Sequence, residues 1–237
     1  MVSKKKKLDI SSSELVSIKP ITDTQTKVFD AWKNKKNLFL YGMAGTGKTF
    51  ISLYLALQEV LKNDTPQERV YLVRSILPTR EIGFLPGDEE DKSYLYQIPY
   101  QNMVRFMFSR PDDTSFERLY TDLRNQGTID FLSTSFLRGI TIDNGIIIVD
   151  ECQNLNFHEL DTIITRVGQN TKIIFSGDIE QTDLVKTNER NGILDFQSIL
   201  NNLPEFECIE FGIPDIVRSG LLKSYLIEKI RQGKHYE

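Results

Sequence analysis

The sequence predicts an α/β fold, a doubly wound and mainly parallel sheet with helices on both faces. Three observations point there. Short continuous apolar runs, such as Ile146-Ile147-Ile148-Val149, read as strands buried on both faces. Helical patterns lie between these runs, so β and α elements alternate. One run, Asn37-Leu38-Phe39-Leu40-Tyr41, leads through a glycine-rich turn into a helix-like stretch at 50–57, which is the context a phosphate-binding loop requires.

Taken in order, residues 1–20 read as a loosely ordered basic arm, because Lys4-Lys5-Lys6-Lys7 and Ser11-Ser12-Ser13 offer little to bury. That arm fits a solvated tail or a grip on phosphates. The globular domain is expected over 21–237. A helical pattern starts at Thr22 and puts Val28, Phe29 and Trp32 on one side. Strands are expected over 38–41, 69–74, 128–132, 145–149, 172–176 and 207–211. Helices are expected over 50–62, 94–108, 115–125, 158–166, 192–201 and 219–231. Residues 79–93 are rich in glycine, proline and acids and read as a surface loop. No internal repeat is visible.

Bulk composition limits the function classes. A chain of 237 residues with 40% hydrophobic and 26% charged content can build a substantial core. Its net charge is −4, so nucleic acid would have to be held by local basic patches. Cys152 and Cys208 fit no metal spacing. So few cysteines fit a reducing compartment, and the cytoplasm is expected. No apolar run reaches the roughly 18 residues of a membrane helix, and the basic start lacks the apolar core of a signal peptide.

The chemistry centres on Gly42-Met43-Ala44-Gly45-Thr46-Gly47-Lys48-Thr49. Glycines let the backbone curl so that several N–H groups address one anion. The helix that follows adds the positive end of its dipole. Lys48 is expected to reach the β- and γ-phosphates of ATP, and the Thr49 hydroxyl to ligate Mg²⁺. About a hundred residues on, the apolar run 146–149 ends in Asp150-Glu151. On a strand beside the P-loop strand, Asp150 would face the magnesium and Glu151 would polarise the attacking water. A further run, 172–176, leads to Gly177-Asp178-Ile179-Glu180-Gln181. The Gln181 amide suits a γ-phosphate contact or a hold on that water, while Asp178 suits the site or the cap of a turn. Gln25, ahead of the loop, fits an adenine contact or an ordinary exposed polar position. Arg74, Arg138, Arg166 and Arg218 each stand next to the end of an expected element. Spacing does not choose which of them would serve the transferring phosphate and which would make surface ion pairs.

Together these segments resemble the PhoH family of P-loop ATPases, related to the core of the superfamily 1 helicases and hence RecA-like. The likeness spans about 22–231. Its marks are Gly83-Phe84-Leu85-Pro86-Gly87-Asp88, Phe136-Leu137-Arg138-Gly139, Asp150-Glu151-Cys152-Gln153-Asn154, Ile164-Thr165-Arg166-Val167-Gly168, Gly177-Asp178 with Gln181 and Asp183, and Asp215-Ile216-Val217-Arg218. The chain departs where Arg138-Gly139-Ile140-Thr141 lacks a second arginine, where Ser75 follows Arg74 in place of proline, and where Cys152 replaces a common alanine. The resemblance implies Mg²⁺-dependent ATP hydrolysis, a cytoplasmic setting and a link to RNA. It also implies a homo-oligomeric, hexameric ring in which an arginine, Arg166 or Arg218 among the candidates, faces a neighbour's nucleotide. Some members of the family carry a fused nuclease domain; none is expected here, and nuclease activity is not implied. Short forms of this kind are similar to those carried by bacteriophages.

Three function classes follow. The first is an ATPase moving on or remodelling single-stranded RNA or DNA, for which Phe84, Tyr94, Tyr96 and Tyr100 could stack bases or pack the subunit and its interface. The second is a nucleotide-controlled assembly protein without motor activity. The third is a small-molecule kinase, against which the acid directly after Asp150 argues, since it would activate water.

Overall fold

The computed structural model describes residues 10–74, 89–137, 139–179, 187–218 and 220–232. The tetralysine arm, the 83–88 loop, Arg138, Gln181 and Asp183 lie outside the described residues. Six parallel strands form one sheet in the order β3-β2-β4-β5-β1-β6. These are β1 (Asn37–Gly42), β2 (Arg69–Arg74), β3 (Ile129–Ser133), β4 (Gly145–Asp150), β5 (Lys172–Gly177) and β6 (Phe206–Phe211). The helices are α1 (Asp23–Lys33), α2 (Lys48–Val60), α3 (Glu89–Phe108), α4 (Asp113–Asn125), α5 (Phe157–Ile164), α6 (Thr187–Asn201) and α7 (Gly220–Arg231).

Alternation along the strands divides the interior in two. Leu38, Leu40, Leu72, Ile146, Ile148 and Ile174 point to one face and join the core beneath α1 to α4. Phe39, Ile147, Val149, Ile173 and Phe175 point to the other, where Leu160 and Ile163 of α5 and Ile193, Phe196 and Leu200 of α6 cover them. All six residues of β4 and all six of β5 are buried, which is why their middles, 146–149 and 173–175, read as apolar runs. The same alternation sends Arg74, Asp150 and Ser176, partners in register across β2, β4 and β5, to the α1–α4 face at the carboxyl edge of the sheet. Crevices at that edge are where open α/β sheets bind ligands.

Several expectations change. The acidic strand was expected beside the P-loop strand, but β5 lies between β4 and β1. Residues 10–20, expected within the loose arm, are folded. Ser11 and Glu14 make a capping box, Ile10 is buried, Leu15 and Ile18 pack on the core, and the Val16 N–H donates to the Met107 carbonyl at 2.7 Å. Residues 89–93, expected within a surface loop, belong to α3 instead, while 79–88 lie outside the described residues. Gly192 looked like a helix start. It lies inside α6 instead, where a Cβ would stand 2.9 Å from the backbone nitrogen of Phe157, so glycine lets α6 close on the start of α5. Capping moves two other starts. Asp112 accepts from the Ser115 N–H ahead of α4, and Asn156 forms a capping box with Glu159 ahead of α5.

Candidate nucleotide site

The loop after β1 is shaped by glycine and tied to β6. Gly42 has φ 109°, and a Cβ there would lie 2.3 Å from the Phe211 carbonyl oxygen. Gly47, also left-handed, caps α2. The Met43 N–H donates to the Phe211 carbonyl at 3.0 Å, and the Val217 N–H donates to the Gly45 carbonyl at 3.1 Å. Met43 therefore anchors the loop to β6, and its N–H is committed to that bond. Its carbonyl accepts from the buried Thr46 hydroxyl at 2.8 Å. Ala44 is half-buried between these anchors.

Lys48 is nearly buried. Its ammonium donates to the carbonyls of Gly42 and Met43, at 2.7 Å each. Burial lowers its pKa, and the nearby charges of Asp178, Glu151 and Asp150 pull it back up in part. Asp178, weighed as a turn cap, is thus an electrostatic neighbour of the P-loop lysine. Gln25 is buried, not exposed. Its amide donates to the Thr46 carbonyl at 3.3 Å and accepts from the Ile21 N–H at 2.9 Å. An amide has a second N–H and a second lone pair, so an adenine edge can still be met.

Asp150 ends β4 almost fully buried. The Thr49 hydroxyl donates to its Oδ1 at 2.8 Å. On the intervening β5 the small Ser176 is the residue in register with Asp150, and Gly177 leaves room for Gln153 and Cys152 after β4. At Gly177 a Cβ would stand 2.4 Å from the Gln153 Oε1. Burial raises the Asp150 pKa. Hydrogen bonds from Tyr100 and Thr49 and the charge of Arg74 lower it in part, and the Glu151 charge adds to the rise.

The chain turns sharply after β4. Glu151 has φ 52° and ψ 41°, a left-handed conformation that costs a side-chain-bearing residue about 1–2 kcal/mol. The turn aims its carboxylate away from the strand. The Gln153 amide donates to Glu151 Oε2 at 2.7 Å and accepts from the Asp178 N–H at 3.1 Å. Gln153 thus joins the ends of β4 and β5. Within the sequence its only signal is its place in Asp150-Glu151-Cys152-Gln153-Asn154.

The arginines separate. Arg218 lays its aliphatic stem over Gly45, with Cγ 2.9 Å from where a Cβ would be, so it stands at its own chain's loop. Arg74 is beside Asp150 and lies over the Tyr96 ring at 5.8 Å. Arg166 is not in this site. Its guanidinium donates to the Thr162 and Ile140 carbonyls, and its carbonyl accepts from Ile142, ahead of β4. That is the opposite edge of the sheet, about 17–20 Å away by strand length, because α5 carries the chain back before β5. Of the two roles open to Tyr100, the structure gives packing within the subunit: it is 2% exposed and donates to Asp150 Oδ2 at 2.6 Å, so it cannot stack a base. No sequence pattern marks that contact.

Among the described residues no group of three or more His, Cys, Asp or Glu could hold a metal alone. Thr49 and Asp150 supply oxygen donors only, which suits an ion that draws its remaining ligands from phosphate and water, as Mg²⁺ does. The Ser176 hydroxyl, in the same row as Asp150, is buried with no hydrogen-bond partner.

Comparison with known proteins adds a family and near relatives. The family model described as PhoH-like protein matches residues 17–229. A PhoH-like protein of Synechocystis sp. is 34% identical over 186 residues, covering 78% of this chain and 54% of that protein. Protein PhoH of Escherichia coli K12 is 31% identical over 205 residues, covering 86% of this chain and 56% of that protein. The chain thus spans about half the length of these relatives. Among solved structures, the large terminase of a thermophilic bacteriophage in complex with ADP aligns at 14% identity and a TM-score of 0.49, over 87% of this chain and 49% of that one. The Pif1 helicase from Bacteroides in complex with ADP-AlF3 and ssDNA aligns at 17% identity and a TM-score of 0.36, over 81% and 42%. Among the described residues no helix is long and apolar enough to cross a membrane.

Proposed function

This chain belongs to the PhoH family, and from that premise we propose that it is a Mg²⁺-dependent ATP hydrolase. It acts on single-stranded nucleic acid, RNA in preference to DNA, as a cytoplasmic ring of six identical subunits. The observation that carries the catalytic part is the 2.8 Å bond from Thr49 to Asp150, which closes 101 residues of chain onto one point at the carboxyl edge of the sheet. RNA, the ring and the cytoplasm rest on family resemblance.

The residues take the following roles. Gly45, Gly47 and the N-terminus of α2 receive the phosphates. Lys48 exchanges its two carbonyl partners for phosphate oxygens. Thr49 and Asp150 hold the magnesium side. An ion held by them would supply positive charge to offset that of the phosphates. Glu151 takes the proton of the attacking water, and Gln153 orients Glu151. The Gln25 amide meets the adenine. Arg218, already over Gly45, supplies positive charge at the phosphates, and Gln181 holds the water.

Phosphate release with and without single-stranded RNA or DNA tests this function. Glu151→Gln should bind ATP as the parent does and lose turnover at least about 100-fold. Lys48→Ala should weaken nucleotide binding as well. Unchanged turnover in Glu151→Gln removes that residue as the base, and unchanged affinity in Lys48→Ala removes the loop assignment. A phosphorylated small molecule in place of free phosphate would make the protein a kinase. Turnover indifferent to nucleic acid would make it a nucleotide-controlled assembly protein.

A further inference from the structure

Tyr100 has no part in the steps above, yet its hydroxyl is committed to the metal-side acid. It donates to Asp150 Oδ2 at 2.6 Å while Thr49 occupies Oδ1 at 2.8 Å. The ring is held edge-on against Phe131 of β3, centroids 5.6 Å apart. One turn earlier on α3, Tyr96 underlies Arg74 at 5.8 Å. Arg74 and Asp150 are themselves partners in register at the ends of β2 and β4. Two tyrosines at i and i+4 therefore rest on two adjacent strand ends, as the face of a helix laid across a sheet requires.

This matters because the terminal torsion of an aspartate is broad. One donor fixes one oxygen and leaves the carboxylate plane free to swing. A second donor on the second oxygen, carried by a buried ring packed against Phe131, sets the plane. We propose that Tyr100 is the positioning residue of the metal site, holding the Asp150 carboxylate in the orientation that receives the ion with its phosphate and water ligands. The inference rests on the reading of Asp150 as the metal-side acid.

Tyr100→Phe removes one oxygen and keeps the ring. Three measurements test it: Mn²⁺ titration of the ADP-loaded protein followed by electron paramagnetic resonance, ADP affinity in EDTA, and the Mg²⁺ dependence of phosphate release. The Mn²⁺ affinity should fall about 10-fold, as it does when partners of metal ligands are removed. ADP affinity in EDTA should stay within about 2-fold, and lost turnover should recover as Mg²⁺ is raised. If Tyr100→Phe keeps parental Mn²⁺ affinity while Asp150→Asn loses it, the positioning role is wrong. If ADP binding in EDTA falls with it, Tyr100 is only structural and the proposal is overturned. If Asp150→Asn also keeps Mn²⁺ affinity, the premise about Asp150 fails and takes the inference with it.

Discussion

At the scale of single residues, the site keeps charges where burial disfavours them. The Asp150 pKa is raised chiefly by desolvation, and the bonds from Tyr100 and Thr49 offset this only in part. A folded pKa above the unfolded one means that the folded protein takes up that proton more readily than the unfolded chain. The ionised carboxylate therefore costs stability at neutral pH, and the cost fades as pH falls through the raised folded value. Asp150→Asn is accordingly expected to raise the melting temperature of the nucleotide-free protein at neutral pH, with an advantage that shrinks on acidification, while abolishing turnover. Thermal melts across pH check this. An Asn variant less stable than the parent at neutral pH would show that the hydrogen bonds to the carboxylate outweigh its desolvation. Left-handed Glu151 tells a similar story of local cost accepted at the point of chemistry.

At the scale of elements, the amino edge of the sheet carries a different kind of polar contact. Lys172, the first residue of β5, pairs with Glu59 of α2 at 3.0 Å. Its ammonium lies 4.1 Å from the ring centroid of Trp32 in α1, and the Trp32 indole N–H donates to the other Glu59 oxygen at 3.2 Å. One carboxylate thereby joins two helices and a strand. Glu59→Ala would leave a nearly buried ammonium without its partner, at an expected cost of about 2–4 kcal/mol. Replacing the pair together, by Glu59→Leu with Lys172→Met, should recover most of that loss. Urea unfolding checks both. Nucleotide affinity should not move in either variant, because this cluster sits at the far edge of the sheet from Lys48.

At the scale of the whole molecule, the separation of Arg218 from Arg166 bears on assembly. Arg218 stands over its own chain's Gly45, whereas the half-buried Arg166 lies near the opposite edge, bonded to the Ile140 and Thr162 carbonyls. If Arg166 serves a phosphate at all, that phosphate belongs to another subunit. Sedimentation with and without a non-hydrolysable ATP analogue should give six times the chain mass when nucleotide is bound. A monomer under both conditions, with turnover intact, would remove the ring.

The sequence made six strands legible, most plainly β4 and β5, whose coverage on both faces demands the apolar stretches 146–149 and 173–175, whereas edge strand β6 mixes exposed and buried positions. It also determined the loop at Gly42–Thr49 and the acids at Asp150-Glu151, whose spacing is local and repeats wherever that chemistry is built. Only the tertiary structure decided the rest. Strand order placed β5 between β1 and β4, with the small Ser176 in the row between Leu40 and Asp150. Burial committed the Tyr100 hydroxyl to Asp150 and drew Gln25 against the loop. Chain direction through α5 sent Arg166 to the wrong edge for its own site. These outcomes depend on which side chains meet across long stretches of chain, and neither period nor propensity within a window records such meetings.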